Sequence, residues 1–153
     1  MNPMQPASSL TDYLGYWLRY VSNHVSQGFA RKVEAHGVTA AEWVLMRQLF
    51  DVDGLAPSRL ADRMGMTRGA VTKLADRLIA KSLVARSAQP GDGRAQTLAL
   101  TASARKLVPV LAALASDNDG EFFGHLTPND RATLLRILQG IVETRRLKSL
   151  PVD

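Results

Sequence analysis

The chain contains no cysteine. That absence excludes disulfides, thiolate metal sites and thiol-based redox sensing together. Long apolar runs are also missing: the longest, "LVPVLAALA" at 107–115, is far too short to cross a hydrocarbon layer of about 30 Å as a helix. The first residues, "MNPMQPASSL", lack a basic start followed by an apolar stretch, so no export signal is expected and a cytoplasmic location follows. No glycine-rich phosphate loop occurs, nor a Ser-His-Asp or Cys-His arrangement that a sequence alone can support. The expectation is therefore a protein that is not an enzyme and carries no cofactor. His24, His36 and His125 lack the spacing of a metal site, and no metal is expected. Internal repeats, low-complexity tracts and separating linkers are absent, so residues 1–153 are read as one domain, long enough to bury roughly 70% of the surface its unfolded form exposes.

What the chain does have is a concentrated positive charge. Between Ala56 and Arg94 stand Arg59, Arg63, Arg68, Lys73, Arg77, Lys81, Arg86 and Arg94, opposed only by Asp62, Asp76 and Asp92. That segment holds the entire net charge of +5; the remainder of the chain balances to zero. A phosphate backbone is the commonest reason for so localised a basic field, although a solvated basic surface would also produce it.

Apolar spacing divides the chain into helices. The first pattern covers about Leu10 to Ala35, with Leu10, Leu14, Leu18, Val21 and Val25 on one face. Beside it runs an aromatic stripe of Tyr13, Tyr16, Trp17, Tyr20 and His24. "TAAE" at 39–42 is a capping box that opens a second helix, carrying Trp43, Val44, Met46, Leu49 and Phe50. Pro57 suits the first turn of a short third helix that ends at Gly65. Thr67 caps a fourth helix, reaching about Ala80, whose buried face is Val71, Leu74, Ala75, Leu78 and Ile79. Two helices around a glycine-containing turn make a helix-turn-helix.

A hairpin is expected next, with strands at 83–88 and 95–100 and a tip at 89–94. Thr101 opens a fifth helix that should break at "SDNDG". Thr127 and Pro128 open the last, with Leu134, Ile137, Leu138, Ile141 and Val142 on its apolar side.

The second helix of such a motif enters the DNA major groove by its N-terminal part. Opposite the expected core face lie Gly69, Thr72, Lys73 and Asp76, with Arg68 at the entry and Arg77 on a flank. Arginine can pair bidentately with guanine, threonine can meet a thymine methyl, and glycine permits close backbone approach. A hairpin directly after this helix can send Arg94 into a narrow minor groove, where negative potential is enhanced, with Asp92 orienting its guanidinium.

"DGRAQTLALT" resembles the D-x-R-x-x-x-L-x-L-T wing signature of MarR-type transcriptional regulators, with Asp92, Arg94, Leu98, Leu100 and Thr101 at its positions. "TRGAVTKLADRLIAKSLVAR" is similar to that family's recognition helix and first wing strand. Gly93 stands where the family often has a second arginine, and Ser82 where it usually has glycine. The resemblance implies a mainly α (α+β) fold: a winged helix-turn-helix core at 39–100 with a two-stranded wing, flanked by dimerisation helices at 10–36 and 101–147. It implies a homodimer, a pseudo-palindromic operator in double-stranded DNA, and DNA contacts from Arg68, Gly69, Thr72, Lys73, Arg77, Asp92 and Arg94.

Leu10, Leu14, Leu134, Leu138 and Ile141 are the expected dimer interface. A small aromatic effector that releases DNA is a further implication, with Tyr16, Trp17, Tyr20 and His24 as candidate ligand residues; packing would explain the same stripe. Two other readings are a winged helix for protein–protein contacts, for which the exposed helix face should be apolar rather than charged, and a DNA-processing accessory protein.

Overall fold

The computed structural model describes residues 6–89 and 92–148, with side chains described outside 89–95. Six helices and a two-stranded antiparallel sheet follow a short 3-10 turn, Leu10–Asp12. The helices are α1 (Leu14–Glu34), α2 (Ala40–Phe50), α3 (Pro57–Met64), α4 (Arg68–Ala80), α5 (Ala102–Phe123) and α6 (Pro128–Arg145). The strands β1 (Val84–Gln89) and β2 (Asp92–Leu100) lie between α4 and α5.

Four threonines start helices in the same way. Thr39, Thr67, Thr101 and Thr127 each accept a backbone N–H from the third residue onward, satisfying a donor the first turn would otherwise leave free. Gly65 ends α3 at φ 63°, a conformation costly for any residue with a Cβ.

The core collects one face from each central element. Leu45, Met46 and Leu49 of α2 meet Leu60 and Met64 of α3, Val71, Leu74, Ala75 and Leu78 of α4, and Val84, Leu98 and Leu100 of the sheet. Val33 from the end of α1 and Ala104, Val108 and Leu111 from α5 close it. Leu55 extends the sheet by one bridge, exchanging backbone bonds of 3.0 and 2.8 Å with Leu98. By contrast, no residue of α6 is buried.

Three expectations need correction. The first helix is not continuous from Leu10, because Tyr13 adopts an extended conformation (φ −98°, ψ 129°) and separates the 3-10 turn from α1. Ser9 N–H donates to Asp12 Oδ2 and Trp17 Nε1–H donates to Thr11 O at 2.9 Å, which stabilises that break. The fifth helix does not stop at "SDNDG" but runs through to Phe123. Asn118 there is buried and donates to Val25 O at 3.0 Å while accepting from Lys32 Nζ at 3.0 Å. Asp119 pairs with Arg131 and Glu121 with Lys32. Side chains engaged across the fold do not compete for their own backbone, which is what normally makes Ser, Asp and Asn helix breakers. Finally, the strands are longer than expected: β1 reaches Gln89 and β2 begins at Asp92, so the backbone of Asp92, Gly93 and Arg94 belongs to the strand rather than to the turn.

Candidate nucleic-acid interface

α4 is amphipathic as its spacing predicts, except that Ile79, expected on the buried face, is only half-buried. Val71, Leu74, Ala75 and Leu78 are buried, while Arg68, Gly69, Thr72, Lys73, Asp76 and Arg77 are all exposed. At the helix entry Thr67 Oγ1 accepts from Ala70 N–H at 3.1 Å. Gly69 has open space where a Cβ would stand, so a surface can come up to the backbone there. The Thr72 hydroxyl donates back to Arg68 O at 2.9 Å, which leaves its methyl as the group available to an apolar partner such as a thymine methyl.

Charge on this surface is sorted by what each cation already holds. Arg86 Nη2, on β1, donates to Asp76 Oδ1 at 2.6 Å. Lys81 donates to both carboxylate oxygens of Glu42 and to Gly37 O. Among the described residues, Arg59, Arg63, Arg68, Lys73 and Arg77 are exposed and form no ion pair. These five form the positive field that an anionic polymer would meet.

The spacing places Asp76 on the open face of the helix. The structure gives it a partner across the junction between helix and sheet. Ser87 and Thr97 extend the cross-strand contacts of the wing with a hydroxyl pair at 2.9 Å. The side chains of Asp92 and Arg94, expected at the minor groove, lie outside the described residues.

The sequence showed the Thr39–Glu42 box but not the role of Lys81. Glu42 is completely buried. Burial pushes its carboxyl up, but the hydrogen bonds from Lys81 and Thr39 and the lysine charge outweigh that and hold it below the ordinary carboxylate range. The acid of the capping box was legible in the sequence; its burial and its partner, 39 positions away, were not.

The other candidate groups fall elsewhere. Tyr16, Trp17, Tyr20 and His24 form a ladder along α1, with Tyr16 and Trp17 edge-to-face at 5.4 Å and Tyr20 stacked on His24 at 5.2 Å. Leu10 and Leu14 near the chain start, and Leu134, Leu138 and Ile141 on α6, are all exposed in the single chain.

A helix-turn-helix followed by a two-stranded wing, with free cations on the second helix, defines a winged-helix DNA-binding protein. A family model described as MarR family matches residues 36–95. The chain is 26% identical over 132 residues to the putative transcriptional regulatory protein for the hcr operon of Thauera aromatica, covering 86% of this chain and 80% of that one. It is 32% identical over 98 residues to the HTH-type transcriptional repressor MdtR of Bacillus subtilis (strain 168), covering 64% and 63% respectively. Among solved structures, the S. aureus MepR–DNA complex shares the fold with a TM-score of 0.79 at 22% identity, over 86% of this chain and 98% of that one. Residues 36–95 thus match the MarR family, and the chain over most of its length is similar to curated transcriptional regulators.

Proposed function

We propose that the protein is a repressor that grips a pseudo-palindromic operator as a homodimer. The observation that carries this reading is the exposed face of α4, where Arg68, Lys73 and Arg77 are held outward by four buried residues on the opposite side. α4 enters the major groove with Arg68, Gly69, Thr72, Lys73 and Arg77, and the wing carries Asp92 and Arg94 to the adjacent minor groove. The charged face argues against a winged helix built for protein–protein contacts, which would present apolar side chains there.

Two-fold symmetry supplies the second half-site. The unburied α6, with Leu134, Leu138 and Ile141, and the exposed Leu10 and Leu14 leave apolar side chains that a second copy covers. The ring ladder on α1 suits a small aromatic anion whose binding weakens the DNA complex. By linkage the DNA then weakens that ligand equally, by a typical factor of roughly 5 to 150.

Selection of bound sequences from a random duplex pool tests the reading. Recovery of a two-fold related pair of half-sites, with centres about one helical turn apart, supports it. Recovery of unenriched sequence contradicts it.

A further inference from the structure

Lys81 is the last residue of α4's capping turn, and its ammonium sits where three segments of the chain converge. It donates to Glu42 Oε1 and Oε2 at 2.9 Å each and to Gly37 O at 2.8 Å, so the three N–H groups each have an acceptor. Glu42 Oε1 also accepts from Thr39 N–H at 2.9 Å. Gly37, at φ 78°, is part of the turn between α1 and α2. One residue on, Ser82 O accepts from Thr101 Oγ1 at 2.8 Å and Leu83 O from Thr101 N–H at 3.1 Å. The C-terminal end of α4 is thereby tied to the α1–α2 junction on one side and to the start of α5 on the other.

We propose that Lys81 and Glu42 are a positioning pair for DNA recognition: they touch no DNA and set the angle at which α4 presents Arg68, Thr72 and Lys73 to the groove. The inference rests on the operator-binding reading above. Glu42 is fully buried while the Lys81 side chain is 39% exposed, so the pair contributes modest net stability, yet it tolerates only a narrow geometry because a displaced lysine leaves the buried carboxylate uncompensated. Orientation is thus what this pair supplies beyond a hydrophobic contact. The lever is long: a 13-residue helix spans about 20 Å, so a tilt of about 10° at its C-terminal end moves its N-terminal residues by about 3 Å. Base-edge hydrogen bonds do not survive a displacement of that size.

The test uses the Glu42→Gln/Lys81→Met double variant, which removes both charges, keeps an acceptor for Thr39 N–H and leaves no lone buried carboxylate. The probe is a duplex selected by the wild-type protein from a random pool. The variant should remain a folded dimer by circular dichroism and sedimentation, while amides of residues 78–83 exchange faster. Its affinity for the duplex should fall about tenfold or more, equivalent to about 1.4 kcal/mol, with an unchanged log–log salt slope. Lys81→Arg, which can still pair with Glu42, should recover most of the binding. Wild-type affinity in the folded double variant would show that the pair only stabilises the fold. A salt slope reduced by about 0.9 would show instead that Lys81 neutralises a phosphate directly. Either result overturns the proposal. Failure of the wild type to select any duplex would overturn the operator-binding reading and the proposal with it, and is distinguished by arising without any substitution.

Discussion

Asp76 of α4 and Arg86 of β1 are joined at 2.6 Å, so α4 and the wing beside it are braced to each other. Both side chains are substantially exposed, 58% and 39% respectively. An exposed pair of this kind contributes about 0–1 kcal/mol to stability, too little to matter for folding. Its consequence is geometric.

Asp76→Ala should therefore leave the melting temperature nearly unchanged while altering DNA binding in two opposite directions. Loss of a negative charge strengthens attraction to any duplex at low salt, whereas loss of the brace weakens discrimination for the operator. The ratio of specific to non-specific affinity should fall. Uniformly tighter binding to both duplexes, measured by fluorescence anisotropy, would show that the brace has no role in recognition.

Glu42 should leave a mark on the acid stability of the protein. Its carboxyl is held below the ordinary range in the folded state, so its contribution is fully present above the unfolded value of about 4.3. That contribution is lost as pH falls through the lower folded value. Glu42→Gln should be less stable than wild type at neutral pH and should show a shallower loss of stability below about pH 4. Urea titrations across that range measure the difference; parallel curves for the two proteins would contradict the assignment.

Four helix starts and the buried face of α4 were legible because they depend on neighbours in sequence. Thr39, Thr67, Thr101 and Thr127 announce four helix starts by local chemistry, and Val71, Leu74, Ala75 and Leu78 announce the buried side of α4 by spacing alone. What stayed hidden depends on partners far along the chain. Asn118 looks like a helix breaker until Lys32 and the backbone of Val25 occupy it. Asp76 looks free until β1 folds back to bring Arg86 beside it. Lys81 counted toward the basic field, and only the fold shows that Glu42 neutralises it.

Ser82 offers a stabilising substitution. Its φ of 60° is left-handed, a conformation that costs a non-glycine residue roughly 1–2 kcal/mol. Ser82→Gly removes that strain but adds freedom to the unfolded chain, an opposing effect of about 0.4–1 kcal/mol. The net gain should be on the order of 0.5–1 kcal/mol, raising the melting temperature by a few degrees at fixed protein concentration. A lower melting temperature would show that the serine side chain contributes something the backbone angle does not reveal.

Gly28 should be intolerant of the smallest side chain. A Cβ there would stand 2.9 Å from Asn118 Oδ1 and 3.2 Å from Phe122 Cε2. Gly28→Ala would force α1 and α5 apart and strain the bond from Lys32 to Asn118, at a cost of about 1–3 kcal/mol. Chemical denaturation measures this directly, and unchanged stability would mean that the interface between the two helices yields easily.

The central claim, that α4 and the wing of a two-chain assembly grip one operator, is tested most directly by titrating a selected duplex at several salt concentrations while sedimentation counts the chains bound. Two chains per duplex are predicted, with affinity falling steeply as salt rises and with a log–log slope smaller by about 0.9 for Lys73→Ala if that lysine neutralises a phosphate. The Leu138→Glu/Ile141→Glu variant should be monomeric and should lose the tight complex. One chain per duplex, or equal affinity for selected and unrelated duplexes, would contradict the account.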